Sequence, residues 1–490
     1  MAGNRQDVAT LGAGWDNIAL LNYALAMQEL DKLPITDPNS WRFLAAMHGF
    51  DRDNWIELNI LASNDQIPPG LTDRTYGNQC QHGSWYFLPW HRGYLFAFEA
   101  IVAATVKRLT GDDWALPYWN YLDDGTQARL IPQAFLEDFL PDKKTPNPLK
   151  KYPRNAGIRN LPEPAKNRFS LQSMEEHDFQ VGTNGSIGFG GGISGNFVQF
   201  AGWTGKLELN PHNVVHGMVG GFMGDPTLAG LDPLFWLHHC NIDRLWEAWM
   251  STTGNTMVHD PRWRNGPADR QFIMPSVGVA GGFRFTSMDT LRGGKHHPNY
   301  DDLSKGTGVK PGVAAVGQVP MGASELQKVE PIGANDAQVR VGSVAAQTQV
   351  QLDPAAANKG VATMGATTPG HEVSRLYIAL ESVRGSAPSP QLDVYVNLPD
   401  GEAPQEHPDL RVASLTLFGL AVASRPDDGH GGNGLGYTID ITEIAQKLTS
   451  AGDFDPQKLR VTLVPGEQIS DEKPITVERI SVLKRSGVVS

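Results

Sequence analysis

The chain has 490 residues, of which 40% are hydrophobic and 19% charged, an ordinary composition for a folded protein of two or three domains. A formal net charge of -12 argues against nucleic acid or an anionic membrane as a partner, because both favour a basic surface. The first residues lack the apolar core of a secretory signal, and no later apolar run approaches the roughly 20 residues that span a bilayer. We expect a soluble, cytoplasmic protein with small substrates, and a homo-oligomer is compatible with this sequence.

The first half of the chain shows the helical spacing of apolar residues. The clearest segments are residues 16–33, 40–48, 93–109, 212–219 and 232–250. Residues 123–205 are polar and rich in Pro and Gly, which predicts excursions over a surface. Their glycine-rich piece, residues 182–195, lacks the Gly-Lys-Ser/Thr ending of a phosphate loop, so we interpret it as a flexible loop.

The character of the chain changes after residue 300. A stretch rich in Gly, Ala and Pro precedes short β-type runs bounded by turn residues: VAAQTQVQL, RLYIALESV, LDVYVNL, VASLTLFGLAVA, YTIDIT, LRVTLV and ITVERISVL. Their regular spacing predicts a β-sandwich. We therefore predict a mainly helical domain over residues 1–310, a linker over 311–342 and a β-rich domain over 343–490.

Three histidines form a first group. His48 ends one helical pattern, His91 begins the next, and His82 comes from the loop between them. Each one alone is expected to be a buried histidine with a hydrogen-bond partner, but three together indicate a metal site. Cys80, two residues before His82, has three interpretations: an inert buried thiol, a thiolate ligand, or a sulfur joined covalently to the imidazole. Its chemistry alone favours the inert thiol.

A second group contains His212 and His216, four residues apart in PHNVVHG. On a helix that starts near Pro211, this spacing places both imidazoles on one face, where a single metal can bind both. The third ligand is His238 or His239, and only one can face the metal because adjacent helical residues point about 100° apart.

We prefer His239 because Asp243 shares its helix face and could accept a hydrogen bond that fixes the imidazole. An ion pair between Asp243 and Arg244, or another basic residue, is the alternative. Six neutral nitrogen ligands suit zinc or copper and disfavour magnesium or calcium. Copper is preferred, because aromatic residues surround the histidines and no carboxylate ligand accompanies them. Two copper ions could share one O2 molecule.

Long motifs around these histidines resemble those of the tyrosinase, catechol oxidase and haemocyanin family of binuclear copper proteins. They are HGSWYFLPWHRGYLFAFE with LPYWNY for the first metal and HNVVH with DPLFWLHHCNIDRLW for the second, and the match covers about residues 41–249. The Cys-x-His pattern implies a thioether between Cys80 and His82. The resemblance also implies one ligand set for each copper: His48, His82 and His91 for the first, and His212, His216 and His239 for the second.

The resemblance further implies roles for residues beside the ligands. Glu208 matches a glutamate that holds an active-site water in plant enzymes, and Asn213 matches a position where asparagine is associated with hydroxylation of monophenols. Together they would help to deprotonate a phenol, and a helix-cap pair is the alternative. Pro226 matches a phenylalanine that shields one copper in plant relatives. We therefore expect easier access for a phenol, unless Phe222 or Met218 fills the space.

In the C-terminal half, QLDVYVNLP is similar to a block of plant polyphenol oxidases. This implies a domain that could cover the copper site and restrain activity until displaced or cleaved, with a stabilising lid or an oligomer contact as the alternative. The predicted fold is α+β and multidomain, with a four-helix-bundle dicopper core followed by a β-sandwich-like domain. The predicted enzyme uses O2 to hydroxylate monophenols and to oxidise o-diphenols to o-quinones. The alternatives are an oxidase of catechols or o-aminophenols without hydroxylation, and an O2 carrier like haemocyanin.

Overall fold

A computed structural model describes residues 4–164, 169–180, 188–307, 328–364, 368, 371–426, 432–466 and 469–488. As the sequence predicts, the first half is mainly helical and the second half is built around a large β-sheet. The α-helices in these residues are α1 (Val8–Leu11), α2 (Ile18–Lys32), α3 (Trp41–His48), α4 (Arg52–Glu57), α5 (Pro69–Thr72), α6 (Phe87–Thr110), α7 (Val214–Val219), α8 (Pro233–Met250), α9 (Pro261–Asn265), α10 (Pro354–Thr363), α11 (Leu420–Ala423) and α12 (Thr442–Ala451). The five predicted helical segments are confirmed, although α6 begins before residue 93.

Local signals set the ends of the helices that carry the histidines. The side chain of Ser40 caps α3 by accepting a hydrogen bond from the N–H of Phe43 at 3.1 Å. Asp232 caps α8 in the same way, with Pro233 in the first turn. Helix α6 ends at Gly111, whose φ of 82° lies in the left-handed region that favours glycine.

Helices α6 and α8 pack together through aromatic side chains. The rings of Phe98 and Trp236 stack with centroids 3.5 Å apart. A hairpin that the sequence did not predict, β1 (Phe272–Ser276) and β2 (Val279–Phe285), covers another side of α6. Gly93 permits this contact, because a Cβ atom there would lie 2.1 Å from the ring of Phe285. His91 is therefore held on a helix that is packed on several sides.

The second half contains the strands of one antiparallel sheet, in the order β8-β7-β10-β5-β3-β11-β6-β9 with β4 paired to β11. Leu380 and Ile480, for example, are paired residues of β6 and β11. The strands are β3 (Lys328–Ala334), β4 (Val339–Val341), β5 (Ala346–Leu352), β6 (Glu372–Arg384), β7 (Gln391–Val396), β8 (Arg411–Thr416), β9 (Leu435–Asp440), β10 (Lys458–Pro465) and β11 (Ile475–Val488).

Two sequence expectations for this half need correction. Strands β3 and β4 lie in the predicted linker, residues 311–342, of which residues 311–327 are outside the described part. Proline and glycine are depleted in strands, so Pro331 and Gly333 make the sequence of β3 resemble that of a loop. The run at 412–423 is not one strand: β8 ends at Thr416 and α11 begins at Leu420. Gly419, with φ of 82°, makes the turn between them.

Each half has its own apolar core, and each contributes one aromatic ring to the core of the other. Phe418 of the second half packs in the helical core, whereas Phe200 of the first half packs in the core of the sheet. An ion pair of 2.6 Å between Asp51 and Arg425 also joins the two halves. In the part of the chain that the structure covers, no helix combines the length and apolar character needed to cross a membrane.

Candidate metal centre

Seven histidines converge where α3, α6, α7 and α8 approach one another, and each is at most 3% exposed. They include all six predicted ligands, brought together from two separate parts of the sequence. Potential ligand atoms lie within 4.8 Å of one another in three groups: His212, His216, His238 and His239; His48, His91 and His239; and His48, Cys80 and His82.

Backbone carbonyl groups orient three of these imidazoles. In each case the Nδ1–H donates to a carbonyl oxygen, which leaves the lone pair of Nε2 directed toward the cluster. The same effect comes from a side chain at His212, whose Nδ1 lies 2.8 Å from Oδ1 of Asn213. The carbonyl contacts are His48 with Pro226 at 2.8 Å, His91 with Phe87 at 2.7 Å and His216 with Met223 at 2.6 Å.

The Nε2 atoms fit a metal better than they fit one another. Nε2 of His239 lies 3.3 Å from that of His212 and 3.2 Å from that of His216. Nε2 of His48 and of His91 are buried without a hydrogen-bond partner among the described residues. Buried polar atoms normally have partners, so this set of lone pairs indicates bound cations. An all-imidazole donor set suits copper.

The protonation of the cluster agrees with metal binding. Burial lowers the pKa of all six predicted ligands, in the case of His48 to about 4. Nearby imidazoles lower the pKa values further at five of them. The imidazoles are therefore neutral at pH 7, which is the form that binds a metal.

His82 is held by its backbone rather than through its ring. Its N–H donates to the carbonyl of Gln199 at 2.8 Å, and its carbonyl accepts from the N–H of Ala201 at 2.9 Å. Neither ring nitrogen of His82 has a hydrogen-bond partner in the described structure. Cys80 is buried nearby, where the side chain of Gln199 donates to its sulfur at 3.1 Å, and burial raises the pKa of the thiol. The sulfur is thus a protonated thiol next to an unpartnered imidazole.

His238, the other member of the doublet, faces a tyrosine. Its Nδ1 lies 2.9 Å from the hydroxyl of Tyr121, and its ring stacks on His212 with centroids 5.4 Å apart. His239 instead directs Nε2 at both other members of its predicted triad. Nε2 of His238 also has no partner among the described residues, and His238 lies in the same group of potential ligands, so the choice of His239 as the third ligand stays a prediction.

Asn213 contacts His212, and Glu208 contacts the backbone of the residue after His82. The N–H of Gly83 donates to the two carboxyl oxygens of Glu208 at 2.8 and 3.0 Å, and burial raises the pKa of this group to about 8. Neither side chain caps a helix. Oδ1 of Asn213 instead accepts the Nδ1–H of His212. Glu208 ties the loop of His82 to the segment that precedes His212.

The expected hydrogen bond between Asp243 and His239 is wrong. Nδ1 of His239 has no partner among the described residues. Asp243 instead binds Nε of Arg92 at 2.5 Å and Nη1 of Arg5 at 3.1 Å, and all three side chains are buried. Two guanidinium groups attract a buried carboxylate more strongly than a neutral imidazole does. The alternative of an ion pair holds, with Arg5 and Arg92 as partners rather than Arg244.

A ring from the C-terminal half lies over the histidines. Phe418 stacks on His216 with centroids 4.3 Å apart and an interplanar angle of 22°, and its centroid lies 5.5 Å from that of His82. Phe418 thus supplies an aromatic ring over the cluster, and the easier access for a phenol expected at Pro226 stays a prediction. Pro226 contributes its carbonyl group to His48, and Phe222 stacks on Tyr152.

The sequence reading did not identify Phe418 or Phe200. Phe200, which belongs to the same half as His82, stacks on that imidazole with centroids 5.0 Å apart and an interplanar angle of 15°. The one available signal was the Phe-Gly pair at 418–419 inside an apparently continuous β-run. A glycine in a strand pattern suggests a turn, which exposes the preceding side chain to another part of the molecule.

The helical fold and its clustered, buried histidines are those of the class of binuclear copper proteins. A family model described as the common central domain of tyrosinase matches residues 38–252, and a model described as a domain of unknown function matches residues 328–485. Tyrosinase HcTyr1 of Hahella sp. (strain CCB-MM4) is 33% identical over 477 residues, covering 94% of this chain and 95% of the relative. The chain therefore belongs to the tyrosinase family, and its cofactor is a pair of copper ions.

Solved structures support the fold. A latent aurone synthase (polyphenol oxidase) superimposes with a TM-score of 0.59 at 19% identity, over 99% of this chain and 89% of that one. Latent apple tyrosinase superimposes with a TM-score of 0.57 at 19% identity, over 99% of this chain and 98% of that one. The arrangement of a helical half followed by a β-rich half is thus shared with both.

Proposed function

We propose that the two predicted triads bind one copper ion each. The support is that the imidazoles are buried and neutral and that several direct unpartnered nitrogens into the cluster. In this proposal α3, α6, α7 and α8 act as a four-helix-bundle core, and the sheet acts as a β-sandwich-like cover. Metal analysis should find two copper ions per chain, and replacing His91 or His216 by Ala should lower the content to about one, with zinc as the competitor metal.

We propose that the enzyme converts a monophenol and O2 into an o-quinone and water, and that it oxidises o-diphenols to the same products. Bound copper supplies the one-electron steps in the reduction of O2. Phenolic substrates and O2 are consistent with the family. The observation that carries the proposal is the joint position of Glu208 and Asn213 beside the histidines, because hydroxylation requires a phenol that has lost its proton.

Glu208 is suited to accept that proton. A general base works best when its pKa lies near the operating pH, and in the copper-free chain burial raises the pKa of Glu208 to about 8. Asn213 fixes His212 by accepting its Nδ1–H, so it serves as a positioning residue at the same point. We propose that Glu208 takes the phenol proton through a water molecule.

We propose that the C-terminal half keeps the enzyme latent. The ring of Phe418 stacks on the imidazole of His216. A bound phenol ring would make the same kind of contact, so Phe418 occupies its place. Removal or displacement of the loop that carries Phe418 would free that position. The same closure favours a second candidate function, an O2 carrier, because O2 is smaller than a phenol.

The test is an assay of the copper-loaded chain with tyramine as the monophenol and 4-methylcatechol as the diphenol, before and after limited proteolysis. Turnover of both after proteolysis supports the proposal. Turnover of the catechol alone would favour a catechol or o-aminophenol oxidase, and reversible O2 binding without turnover would favour the carrier.

We also propose a thioether between Cys80 and His82, formed with loss of two hydrogen atoms to an oxidant such as O2. The proximity of the Cys80 sulfur to an unpartnered imidazole supports it. Such a bond would restrain a ligand that comes from a loop. Peptide mass spectrometry of the copper-loaded protein should find residues 80 and 82 in one crosslinked peptide that is two hydrogens lighter, and an unmodified peptide would contradict the crosslink.

A further inference from the structure

A cavity lies in the helical half, and none of the clustered histidines lines it. Its volume is about 600 Å³, and its lining includes Arg74, Phe197, Asp269, Arg270, Ile273 and Arg284. Cavities of roughly 300–1,000 Å³ are typical of sites for small molecules. Three arginines around one cavity are unusual in a chain whose net charge is -12.

Arg270 is held in place at the wall of this cavity. Its guanidinium group lies over the ring of Phe197, with Cζ 3.9 Å from the ring centroid. Nη2 donates to the carbonyl groups of Thr75 and Gly77, each at 3.3 Å. These contacts fix a flat, positively charged surface, and they use only part of the five N–H donors of an arginine.

Arg284 faces the same cavity from the hairpin. It is paired with Ile273 across β1 and β2, and side chains that are opposite each other in an antiparallel pair lie on one face of the sheet. Within the described residues, the guanidinium group of Arg284 forms no ion pair or hydrogen bond. Arg270 likewise has no carboxylate within ion-pair distance there. Both cations are therefore available to an anion.

The acidic residues of the cavity do not neutralise these cations fully. Oδ1 of Asp73 accepts the N–H of Thr75 at 2.8 Å, and Oδ1 of Asp269 accepts the N–H of Phe197 at 2.7 Å. Three arginines against two aspartates leave an excess of one positive charge. Burial, followed by the charge of Arg74, lowers the pKa of Arg270 to about 10, although Asp73 and Asp269 act in the opposite direction.

We propose that this cavity binds an aromatic carboxylate. The carboxylate would lie between Arg270 and Arg284, since guanidinium groups bind carboxylates through paired, charge-assisted hydrogen bonds. The aromatic ring would pack on the stacked Phe197 and Arg270 side chains. The backbone of Ile273 also binds the side chain of Gln79, at 2.9 and 3.3 Å, so the ligand would lie against the strand that anchors the loop of His82.

The test is calorimetric titration of the copper-loaded full chain with trans-cinnamate, with neutral cinnamamide and inorganic phosphate as comparison ligands. We expect one cinnamate per chain, no binding of cinnamamide, and no displacement of cinnamate by phosphate at equal concentration. Arg284→Gln should weaken cinnamate binding about tenfold or more, because one charged hydrogen-bond partner is lost. Arg284 makes no side-chain bond within the described structure, so this variant should fold normally.

Arg270→Gln should weaken binding at least as much, and its thermal unfolding would be measured alongside because it also holds a loop. The matched control is Arg264→Gln, an exposed arginine whose Nε contacts the sulfur of Met288 outside the cavity, and it should bind like the parent chain. Unchanged affinity in the double variant at 270 and 284 would assign cinnamate to another site and overturn the proposal. Absence of binding to the parent chain would also overturn it, as would equal binding of cinnamamide or phosphate.

Discussion

Glu208 shows how a single residue is fitted to its surroundings. Its carboxyl group is buried, it accepts backbone N–H groups of Gly83 and Gly205, and burial still raises its pKa to about 8. In the unfolded chain the same group ionises near its ordinary pKa of about 4.5. Between about pH 4.5 and pH 8, Glu208 therefore keeps its proton in the folded copper-free protein but has lost it in the unfolded chain.

The resulting prediction concerns the copper-free protein. Since the folded state binds the proton more tightly, the free energy of unfolding should fall as the pH rises from about 4.5 to 8. Glu208→Gln should remove this fall and be more stable than the parent by on the order of 4 kcal/mol at pH 8. Urea unfolding at pH 5 and pH 8 measures the difference, with Glu57→Gln on the exposed side of α4 as control. Parallel pH curves for Glu208→Gln and the parent would contradict the shift.

At the scale of elements, the loop between β8 and α11 places Phe418 against the histidines. Phe418→Ala removes the ring that stacks on His216, so 4-methylcatechol should reach the copper in the uncleaved chain. We expect its oxidation rate to rise about tenfold or more, as when a lid opens. Val422→Ala is the control, because Val422 is buried in the same domain without a described contact to the histidines. An equal rise in both variants would indicate general loosening of the domain instead.

Helix α8 depends on a buried charge. Asp243 joins it to Arg92 of α6 and to Arg5 near the N-terminus. Asp243→Asn should leave both guanidinium groups without their carboxylate and destabilise the protein by about 3 kcal/mol. Asp113→Asn breaks the exposed pair with Lys107 and should cost less than about 1 kcal/mol. Urea unfolding compares the two, and equal effects would mean that the buried pair has no special weight.

The helices and the two groups of histidines could be predicted from the sequence, because both depend on local spacing. The four-residue interval between His212 and His216 and the cap at Asp232 are visible without a structure. The partner of Asp243 was not visible, since Arg5 is separated from it by 238 positions. Phe418 was missed for the same reason, because its role comes from contact between the two halves. Strand β3 was missed because its proline and glycine resemble a loop.

On the scale of the whole molecule, the two halves meet closely beside the metal centre. A Cβ atom at Gly217 would lie 2.4 Å from Cγ2 of Thr416 in β8, closer than atoms pack. Gly217→Ala should therefore weaken the interface by about 1–3 kcal/mol and raise the activity of the uncleaved chain.

A second substitution tests whether this effect comes from the interface. Thr416→Ser removes the methyl group that the added Cβ atom of Gly217→Ala would strike, so the double variant should return to the activity of the parent. The measurement is 4-methylcatechol oxidation by all three chains at equal copper content. If the double variant stayed as active as Gly217→Ala, the change would have to come from the copper ligands themselves, because Gly217 follows His216.

The place of β11 in the sheet leads to an expectation about copper uptake. This strand pairs with β3, β4 and β6, yet it follows the other strands of the described residues, so it is synthesised after all the histidines. We expect copper to reach the histidines more easily while the sheet is incomplete, because Phe418 packs on His216 and His82 in the folded chain. Uptake of Cu(II) by the folded, metal-free chain should therefore be slower than uptake by Phe418→Ala.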